Sequence, residues 1–346
     1  MELARAAAVL EELRAPAFRL EQLRRAVFDE AVASYQGIAV LPAQLRRDLE
    51  ARLPLLSLSV RKVAISADRR ARKALLGLAD GKVIETVLLR PSPTRWTTCV
   101  STQVGCAIGC TFCATGLMGL SRSLTPEEIT DQVLFWRQYM RSEGLEGRLD
   151  NVVYMGMGEP FAAYESMAES LRRLLDQKQF GIGARHISVS TSGLAPQIER
   201  FARDFPQVNL ALSLHSADEK LRSDLVPVNR AFPLARLSQA VGKYLSLTRR
   251  KVFLEYVLLG GENDGADSAR QLVAWIKATG PRELLHVNLI LFNETATRHR
   301  ASTEPLARRF QALLLGEGIK ATLRQNLGRD IEGACGQLVV AGGEGR

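Results

Sequence analysis

The pattern of apolar and polar residues changes twice along this chain of 346 residues. In the first part, apolar residues recur at helical spacing and predict helices over residues 2–14, 18–29 and 42–52. Short aliphatic runs separated by turn-forming residues follow, and they predict a short antiparallel β meander within residues 56–95. We therefore expect a small N-terminal helical domain, residues 1–55, that leads through the meander into a larger domain.

From residue 96 onward, short apolar strands alternate with amphipathic helices. The predicted strands cover residues 97–102, 151–156, 186–191, 207–214, 251–259, 285–292 and 319–324. The predicted helices cover residues 126–140, 164–178, 194–203, 232–246, 265–278 and 303–316. This alternation favours a parallel sheet with right-handed crossovers, and six or more units favour a full or partial barrel. We therefore predict an α/β fold in which residues 96–346 form a partial (β/α)6 barrel, apart from a loose tail at 342–346.

One helix start is marked clearly in the sequence. Thr125 is a suitable N-cap, Pro126 occupies the first helical position, and Glu128 completes a capping box. The helix over residues 126–140 is therefore expected to begin at Pro126. In such barrels the functional groups collect on the loops that follow the carboxyl ends of the strands.

The composition is that of an ordinary soluble globular protein, with 46% hydrophobic and 24% charged residues. No apolar run reaches the ~20 residues of a membrane-spanning helix, and the N-terminus is typical of an amphipathic helix rather than a signal peptide. Five cysteines, three of them clustered, do not suggest a disulfide scaffold. We therefore expect a cytoplasmic protein with no membrane partner.

The net charge of +9 is distributed unevenly, because residues 1–95 hold 17 Lys and Arg against 11 Asp and Glu. A basic surface raises the affinity for phosphate backbones without reading a sequence. The candidates for RNA docking are Arg19, Arg24, Arg25, Arg46, Arg47, Arg61 and Lys62, with a second basic run at Arg249, Arg250 and Lys251. The alternative is that several of these side chains only keep the helices in solution.

Three cysteines stand close together in the segment QVGCAIGCTFCATG. Cys106, Cys110 and Cys113 have the spacing C-x3-C-x2-C. Three thiolates can bind three irons of a four-iron, four-sulfur cluster, which leaves the fourth iron open to a small molecule. A zinc site is the alternative, but structural zinc needs four ligands and the nearest histidine in the sequence is His186. With Phe112 before Cys113, the motif resembles the cluster loop of radical S-adenosylmethionine (SAM) enzymes.

The two remaining cysteines extend this resemblance. An isolated cysteine is usually a small buried apolar residue, but Cys335 lies between Gly333 and Gly336 in GRDIEGACGQL, which favours an exposed loop and a nucleophilic thiol. Cys99, the cysteine triad and the DIEGACGQL loop together resemble the RlmN/Cfr family of RNA adenosine methyltransferases. The resemblance covers nearly the whole chain.

That resemblance implies a [4Fe-4S] cluster on the triad and two SAM molecules per turnover. One SAM would methylate Cys335, and the 5'-deoxyadenosyl radical from the second would remove a hydrogen atom from that methyl group. The methylene radical would then add to an amidine carbon of adenine. The resemblance further implies that Cys99 releases the product by forming a disulfide with Cys335, and that Glu85 accepts a proton. A solvated strand residue is the alternative for Glu85.

The same resemblance implies the SAM contacts. They are Gly158 and Glu159 in YMGMGEP, Ser190 in SVSTSG, Ser213, Leu214 and His215 in LALSLHS, and Asn293 in NLILFNE. A carboxylate such as Glu159 can pair with an ammonium group, and glycine lets the backbone come close. These residues follow successive predicted strands, so a barrel would bring them to one cavity, although His215 alone is more often a structural histidine.

The function implied by the resemblance is methylation of C2 of an adenosine in the peptidyl-transferase region of 23S rRNA, and of the adenosine beside the tRNA anticodon. A reducing partner such as flavodoxin or ferredoxin would supply electrons. Gly158-Glu159-Pro160 and Ser190-Thr191-Ser192-Gly193 resemble RlmN more than Cfr. Two alternatives stay open: Cfr-type C8 methylation of the same rRNA adenosine, and a non-catalytic RNA-binding assembly factor.

Overall fold

The computed structural model describes residues 1–338, so the predicted loose tail at 342–346 lies outside the described residues. The α-helices are α1 (Leu3–Glu12), α2 (Phe18–Arg24), α3 (Ala43–Arg52), α4 (Ala114–Leu117), α5 (Pro126–Ser142), α6 (Tyr164–Leu175), α7 (Ala195–Asp204), α8 (Glu219–Leu225), α9 (Leu234–Thr248), α10 (Ala266–Thr279) and α11 (Glu304–Gly316). The strands are β1 (Ser59–Ile65), β2 (Ala71–Gly77), β3 (Val83–Ser92), β4 (Arg95–Cys99), β5 (Gln103–Gly105), β6 (Leu120–Ser123), β7 (Arg148–Tyr154), β8 (Ile187–Thr191), β9 (Asn209–Ser213), β10 (Val252–Leu258), β11 (Leu285–Leu291) and β12 (Lys320–Leu323). A π-helix, Arg25–Asp29, extends α2, and 3-10 turns cover Tyr35–Gly37, Pro160–Ala163, Ala184–His186, Pro227–Arg230, Arg282–Leu284 and Arg329–Ile331.

Ten strands form one sheet in the order β1-β2-β3-β4-β7-β8-β9-β10-β11-β12. From β4 to β12 all neighbouring strands are parallel, and helices connect each strand to the next. The middle strands of this parallel part, β8, β9 and β10, contain no exposed residue, which is expected when helices cover the outside of a curved sheet. The predicted α/β partial barrel is therefore confirmed.

The meander belongs to the same sheet. Antiparallel pairing joins β2 to β3, with Leu75 opposite Glu85, and then β3 to β4, with Val87 opposite Cys99. The sheet therefore continues across residue 95, where the sequence suggested a boundary between the meander and the barrel. The division into residues 1–55, 56–95 and 96–346 stays a prediction.

The N-terminal helices pack against the barrel through α5. The Arg137 guanidinium on α5 donates to the carbonyl of Phe180 at 2.9 Å, and Gln138 donates to the carbonyl of Val32 at 3.1 Å. The rings of Phe28 and Phe180 meet edge to face, with centroids 5.2 Å apart. Phe28 and Phe180 also belong to the same continuous core as the barrel strands. No helix within residues 1–338 is both long enough and apolar enough to cross a bilayer.

The predicted start of α5 is confirmed in detail. Thr125 Oγ1 accepts from the Glu128 amide at 3.1 Å, and the Thr125 amide donates to Glu128 Oε2 at 2.9 Å. The same carboxylate accepts two hydrogen bonds from Arg122 on β6, each at 2.8 Å. The capping box therefore also fixes the small β5–β6 hairpin that carries the cysteine triad.

Candidate functional site

The cysteine triad lies on a loop inside the β5–β6 hairpin. Cys106 follows β5, and its amide donates to the carbonyl of Gly119 just before β6, at 2.9 Å. Gly105 has φ of +79°, and a Cβ at this position would lie 1.9 Å from the Gly119 carbonyl oxygen. Only glycine fits such an approach. The Cys113 amide donates to the carbonyl of Cys110 at 3.1 Å, so a tight turn brings these two thiols together.

The surroundings of the three sulfurs fit an iron–sulfur cluster. Backbone amides of Ile108 and Gly109 point at the Cys106 sulfur, and those of Thr115 and Gly116 point at the Cys113 sulfur. Amides in these positions stabilise sulfur ligands that carry negative charge. Burial raises the pKa of Cys106 to about 12 and raises the pKa values of Cys110 and Cys113, so a bound metal must displace the thiol protons.

The triad borders a cavity of about 160 Å³, which we call the cluster-side cavity. Its wall contains the predicted site residues Cys106, Cys110, Cys113, Gly158, Glu159, Ser190, Ser213, His215, Asn293 and Cys335. Within residues 1–338, no three His, Cys, Asp or Glu side chains are arranged to hold a single metal ion. Each thiolate of a four-iron cluster binds a different iron, so its cysteines do not need to converge on one point.

Glu159 connects the ends of two strands. Its Oε1 accepts from the Phe161 amide at 3.0 Å and its Oε2 accepts from the Ser192 amide at 2.7 Å. Gly158, with φ of +99°, packs directly on Gln103, whose side-chain oxygen accepts from the Glu159 amide at 2.8 Å. Burial raises the pKa of the Glu159 carboxyl group, and the amide donors oppose that rise. The carboxylate therefore faces the cluster-side cavity in a fixed orientation.

The next two strands contribute hydroxyl groups and an imidazole. Ser190 and Ser213 lie 3.2 Å apart, oxygen to oxygen. His215 has φ of +58°, and its Nδ1 accepts from the Val257 amide at 3.1 Å. Burial lowers the pKa of His215 to about 3, so the ring is neutral and its proton is on Nε2. His215 thus has a structural role and also lies on the cavity wall. Its ring packs against that of Phe112, with the two ring centroids 4.8 Å apart.

Leu214 does not share the cavity with its neighbours. Its side chain is fully buried in the main hydrophobic core. Its backbone is fixed instead, because its amide donates to the carbonyl of Glu255 at 3.0 Å. Any contact of Leu214 with SAM would therefore involve the backbone rather than the side chain.

Cys335 lies where two cavities meet. The second cavity, which we call the inner cavity, has a volume of about 400 Å³ and is bordered by Cys99, Asn288 and Arg324. Cys335, Glu255, Met155 and Ile290 border both cavities. Cys335 is accessible from these spaces but surrounded by protein, and this burial raises the pKa of its thiol. Burial also raises the pKa of Cys99, and the nearby Cys335 adds to that rise.

Backbone contacts hold the loop of Cys335. The Ala114 amide, next to Cys113, donates to the carbonyl of Gly336 at 2.9 Å. The Asn293 amide group donates to the carbonyl of Cys335 at 3.1 Å, and its oxygen accepts from Asn326 at 2.8 Å. Asn293, predicted to contact SAM, therefore also ties the end of β11 to the Cys335 loop.

Glu85 borders neither cavity. It lies on β3, two residues from Val87, which pairs with Cys99, so Glu85 is on the same face of the sheet as Cys99. Its carboxylate forms an ion pair with Lys73 on β2, with 2.9 Å between Nζ and Oε1. The predicted proton acceptor is thus near the resolving cysteine in register, and it is already paired with a cation.

Sequence reasoning missed Arg222, which organises the loops of the cluster-side cavity. This fully buried side chain, on the unpredicted helix α8, donates to the carbonyls of Ser192 at 2.7 Å and Leu214 at 3.1 Å. A third hydrogen bond goes to Asn229. Only the aspartate Asp218 before α8, which caps it by accepting from the Leu221 amide, could have signalled this helix.

Three comparisons with known proteins agree with one another. The family model of the radical SAM superfamily matches residues 100–273. The chain is 43% identical over 336 residues to a probable dual-specificity RNA methyltransferase RlmN of Chloroflexus aurantiacus, covering 95% of this chain and 89% of that protein. It is 39% identical over 332 residues to the ribosomal RNA large subunit methyltransferase Cfr of Clostridium botulinum strain Loch Maree, covering 95% and 94% of the two chains.

A solved structure is similar over the same length. The crystal structure of a radical SAM methyltransferase from Sphaerobacter thermophilus matches with a TM-score of 0.90 and 42% sequence identity. The match covers 98% of this chain and 97% of that chain. The similarity therefore includes the helical N-terminus, the meander and the barrel together.

Proposed function

This chain belongs to the RlmN/Cfr family of radical SAM RNA methyltransferases, and we propose that it methylates C2 of an adenosine in 23S rRNA. Membership of the radical SAM superfamily implies a [4Fe-4S] cluster and SAM. The proposal extends to the adenosine beside the tRNA anticodon, to flavodoxin or ferredoxin as the electron donor, and to the cytoplasm as the location.

The observation that supports the proposal most is the position of Cys335 between two cavities. The cluster-side cavity offers the triad and the predicted SAM residues other than Leu214, and the inner cavity offers Cys99. A sulfur that carries a methyl group towards a base must be accessible to SAM on one side and to the base on the other. Among the five cysteines of the chain, Cys335 is the one that borders both spaces.

We assign the cluster-side cavity to SAM. Cys106, Cys110 and Cys113 would hold the cluster, which when bound supplies the electron that cleaves SAM to the 5'-deoxyadenosyl radical. Glu159 presents a carboxylate towards the methionine ammonium, while Ser190, Ser213 and the Nε2–H of His215 offer polar contacts.

Cys335 would accept a methyl group from one SAM molecule and lose a hydrogen atom from that methyl group to the radical formed from a second. The carbon would then bond to C2 of adenine in the inner cavity. The adduct would then give up one electron to the oxidised cluster, and Glu85, on the same face of the sheet as Cys99, would take the C2 proton. Cys99 would attack Cys335, the carbon–sulfur bond would break as a disulfide forms, and the released carbon would take up a proton to become the methyl group. Burial and the nearby Cys335 raise the pKa of Cys99, so this thiol must lose its proton as it attacks.

Ion pairing reduces the number of basic side chains that are available to bind the RNA backbone. Arg24 and Arg25 form ion pairs with Glu21, so much of their charge is already compensated. Within residues 1–338 no ion pair is formed by Arg19, Arg46, Arg47, Arg61 or Lys62. Of these, Arg61 and Lys62 are adjacent and both exposed on the edge strand β1. We therefore favour β1 as the part of the basic surface that meets the RNA backbone.

Cfr-type C8 methylation is the second candidate, because Cfr proteins are similar to this chain over nearly its whole length. Both reactions need the same triad, SAM site and cysteine pair, and they differ in how the adenine is oriented towards Cys335. A non-catalytic assembly factor would have no use for Cys335 on the border of the cluster-side cavity and the inner cavity.

The test is anaerobic reaction of the reconstituted protein with SAM, a reductant and unmodified ribosomal RNA, followed by mass spectrometry of the nucleosides. We expect 2-methyladenosine. Formation of 8-methyladenosine would assign Cfr-type chemistry, and SAM cleavage without any methylated adenosine would refute the proposed substrate. A parallel reaction with unmodified tRNA tests the second substrate.

A further inference from the structure

The inner cavity contains one acidic side chain among the described residues that border it. Glu255 lies on β10, opposite Ser213 of β9 and Asn288 of β11, and it is 8% exposed. The Asn288 side-chain amide donates to Glu255 Oε1 at 2.8 Å. No hydrogen bond from residues 1–338 reaches the other oxygen, Oε2. The carboxylate is therefore held on one side and open on the other.

Two neighbouring groups oppose the effect of burial on the Glu255 carboxyl group. Burial raises the pKa of Glu255, and the Asn288 amide and the Arg324 guanidinium both oppose that rise. Arg324 and Arg70 border the same cavity. A buried acceptor with two arginines at the same cavity suits a nucleotide, because the base edge can meet the acceptor while a phosphate meets a guanidinium.

We infer that Glu255 determines specificity for adenine by accepting a hydrogen bond from its 6-amino group. This inference rests on the proposed function, which places the base between Cys335 and Cys99 and hence in the cavity that Glu255 borders. On its Watson–Crick and Hoogsteen edges adenine carries ring acceptors and a single exocyclic donor, the 6-amino group. A carboxylate can bind only that donor, whereas it repels the carbonyl oxygen that guanine or hypoxanthine carries at the same position.

The hydrogen bond from Asn288 to Glu255 allows a test in which a substitution at position 255 changes the preference of the enzyme for the target base. Since the Asn288 amide donates to Oε1, a glutamine at position 255 would place its carbonyl oxygen there and its NH2 group towards the base. Glu255→Gln would thus replace an acceptor by a donor at nearly constant shape. It should disfavour adenine, with its 6-amino group, and favour hypoxanthine, with its 6-oxo group.

The experiment uses the reconstituted holoenzyme and two RNA fragments that differ only at the target, which is adenosine in one and inosine in the other. Methylation kcat/KM is measured for both RNAs with wild type and Glu255→Gln. We expect the inosine-to-adenosine ratio to rise by about 10- to 100-fold in the variant, the range for one hydrogen bond to a charged group. Any difference in intrinsic reactivity between the two bases cancels in this comparison.

Ser188→Ala is the matched control, because Ser188 borders the same cavity on β8. Its inosine-to-adenosine ratio should equal that of wild type. An unchanged ratio in Glu255→Gln, or an equal rise in Ser188→Ala, would overturn the inference. If turnover of the variant is too slow to measure, the ratio of the dissociation constants of the two RNAs is compared between the variant and wild type in its place.

SAM cleavage without RNA separates the remaining outcomes. Loss of SAM cleavage in Glu255→Gln with an unchanged ratio would mean that Glu255, which also borders the cluster-side cavity, serves SAM instead, and this overturns the inference. If wild type cleaves SAM but methylates neither RNA, the proposed function fails and this inference fails with it. An active wild type with an unchanged ratio in the variant refutes only the role of Glu255.

Discussion

The close approach of Gly105 to Gly119 predicts that a single methyl group will disrupt the cysteine triad. Gly105→Ala would place a Cβ 1.9 Å from the Gly119 carbonyl oxygen, where contacts below 3.0 Å do not occur. The two backbones must separate by about 1 Å to relieve this overlap. The hydrogen bond from the Cys106 amide to that same oxygen, now 2.9 Å, would then exceed hydrogen-bonding distance.

Gly119→Ala is a control on the same hairpin. Gly119 also has a left-handed backbone, with φ of +70°, but a Cβ there meets no atom within 4 Å. Both variants carry the left-handed penalty of about 1–2 kcal/mol for a residue with a side chain. Only Gly105→Ala also loses the Cys106 hydrogen bond, which adds about 0.5–1.5 kcal/mol, and moves the first ligand of the triad.

The measurement is the iron content per protein after anaerobic reconstitution, together with the Tm of the metal-free protein. We expect Gly119→Ala to retain most of its iron, and Gly105→Ala to lose most of its iron and to melt a few degrees lower than the control. Equal iron content and equal Tm in the two variants would refute the reasoning, because it would mean that the hairpin absorbs the methyl group without moving Cys106.

Four further predictions concern the proposed reaction. Cys335→Ala should keep iron and SAM cleavage but abolish RNA methylation, and methylated RNA from this variant would remove Cys335 from the reaction. Cys99→Ala should accumulate RNA covalently attached to Cys335, visible as a shifted band on denaturing gels, and the absence of any adduct under turnover would count against a resolving thiol. Cys110→Ala should lose both iron and SAM cleavage, whereas an intact cluster would exclude it as a ligand. Replacement of Arg61 and Lys62 by Ala should raise the KM for RNA and weaken its salt dependence at unchanged SAM cleavage, and an unchanged KM would place the docking surface elsewhere.

The parts of the fold that depend on local chemistry were predictable from the sequence. The capping box at Thr125 and Glu128 marks the start of α5 because its hydrogen bonds link residues three apart. The crossover strands were predictable because each is a short apolar run between helices. The hairpin of β5 and β6 and the short helix α8 were missed, since three to seven residues carry too little periodicity to be recognised.

The parts of the site that depend on contacts between residues distant in sequence could be predicted only to a small extent. Successive strand ends could be expected to converge, and Ser190 and Ser213 do lie 3.2 Å apart. The partners of Glu85 and Arg222 could not be expected in the same way. Lys73 meets Glu85 only through the register of β2 and β3, and Arg222 meets the carbonyl of Ser192 across 30 positions of the sequence. Side chains of this kind become visible only when strand register and loop path are known.

The way in which the Cys335 loop is held explains how one sulfur could serve two cavities. Its hydrogen bonds from Ala114 and Asn293 end on backbone carbonyls of Gly336 and Cys335, so they fix the loop without engaging the thiol. With the backbone fixed, rotation about the Cα–Cβ bond moves the sulfur among three staggered positions. A small torsional change, rather than movement of the whole loop, would then turn a methyl group from the cluster-side cavity towards the base. Because the anchor at Ala114 follows Cys113 directly, the loop that presents the methyl group and the loop that holds the cluster would keep a constant separation during that rotation.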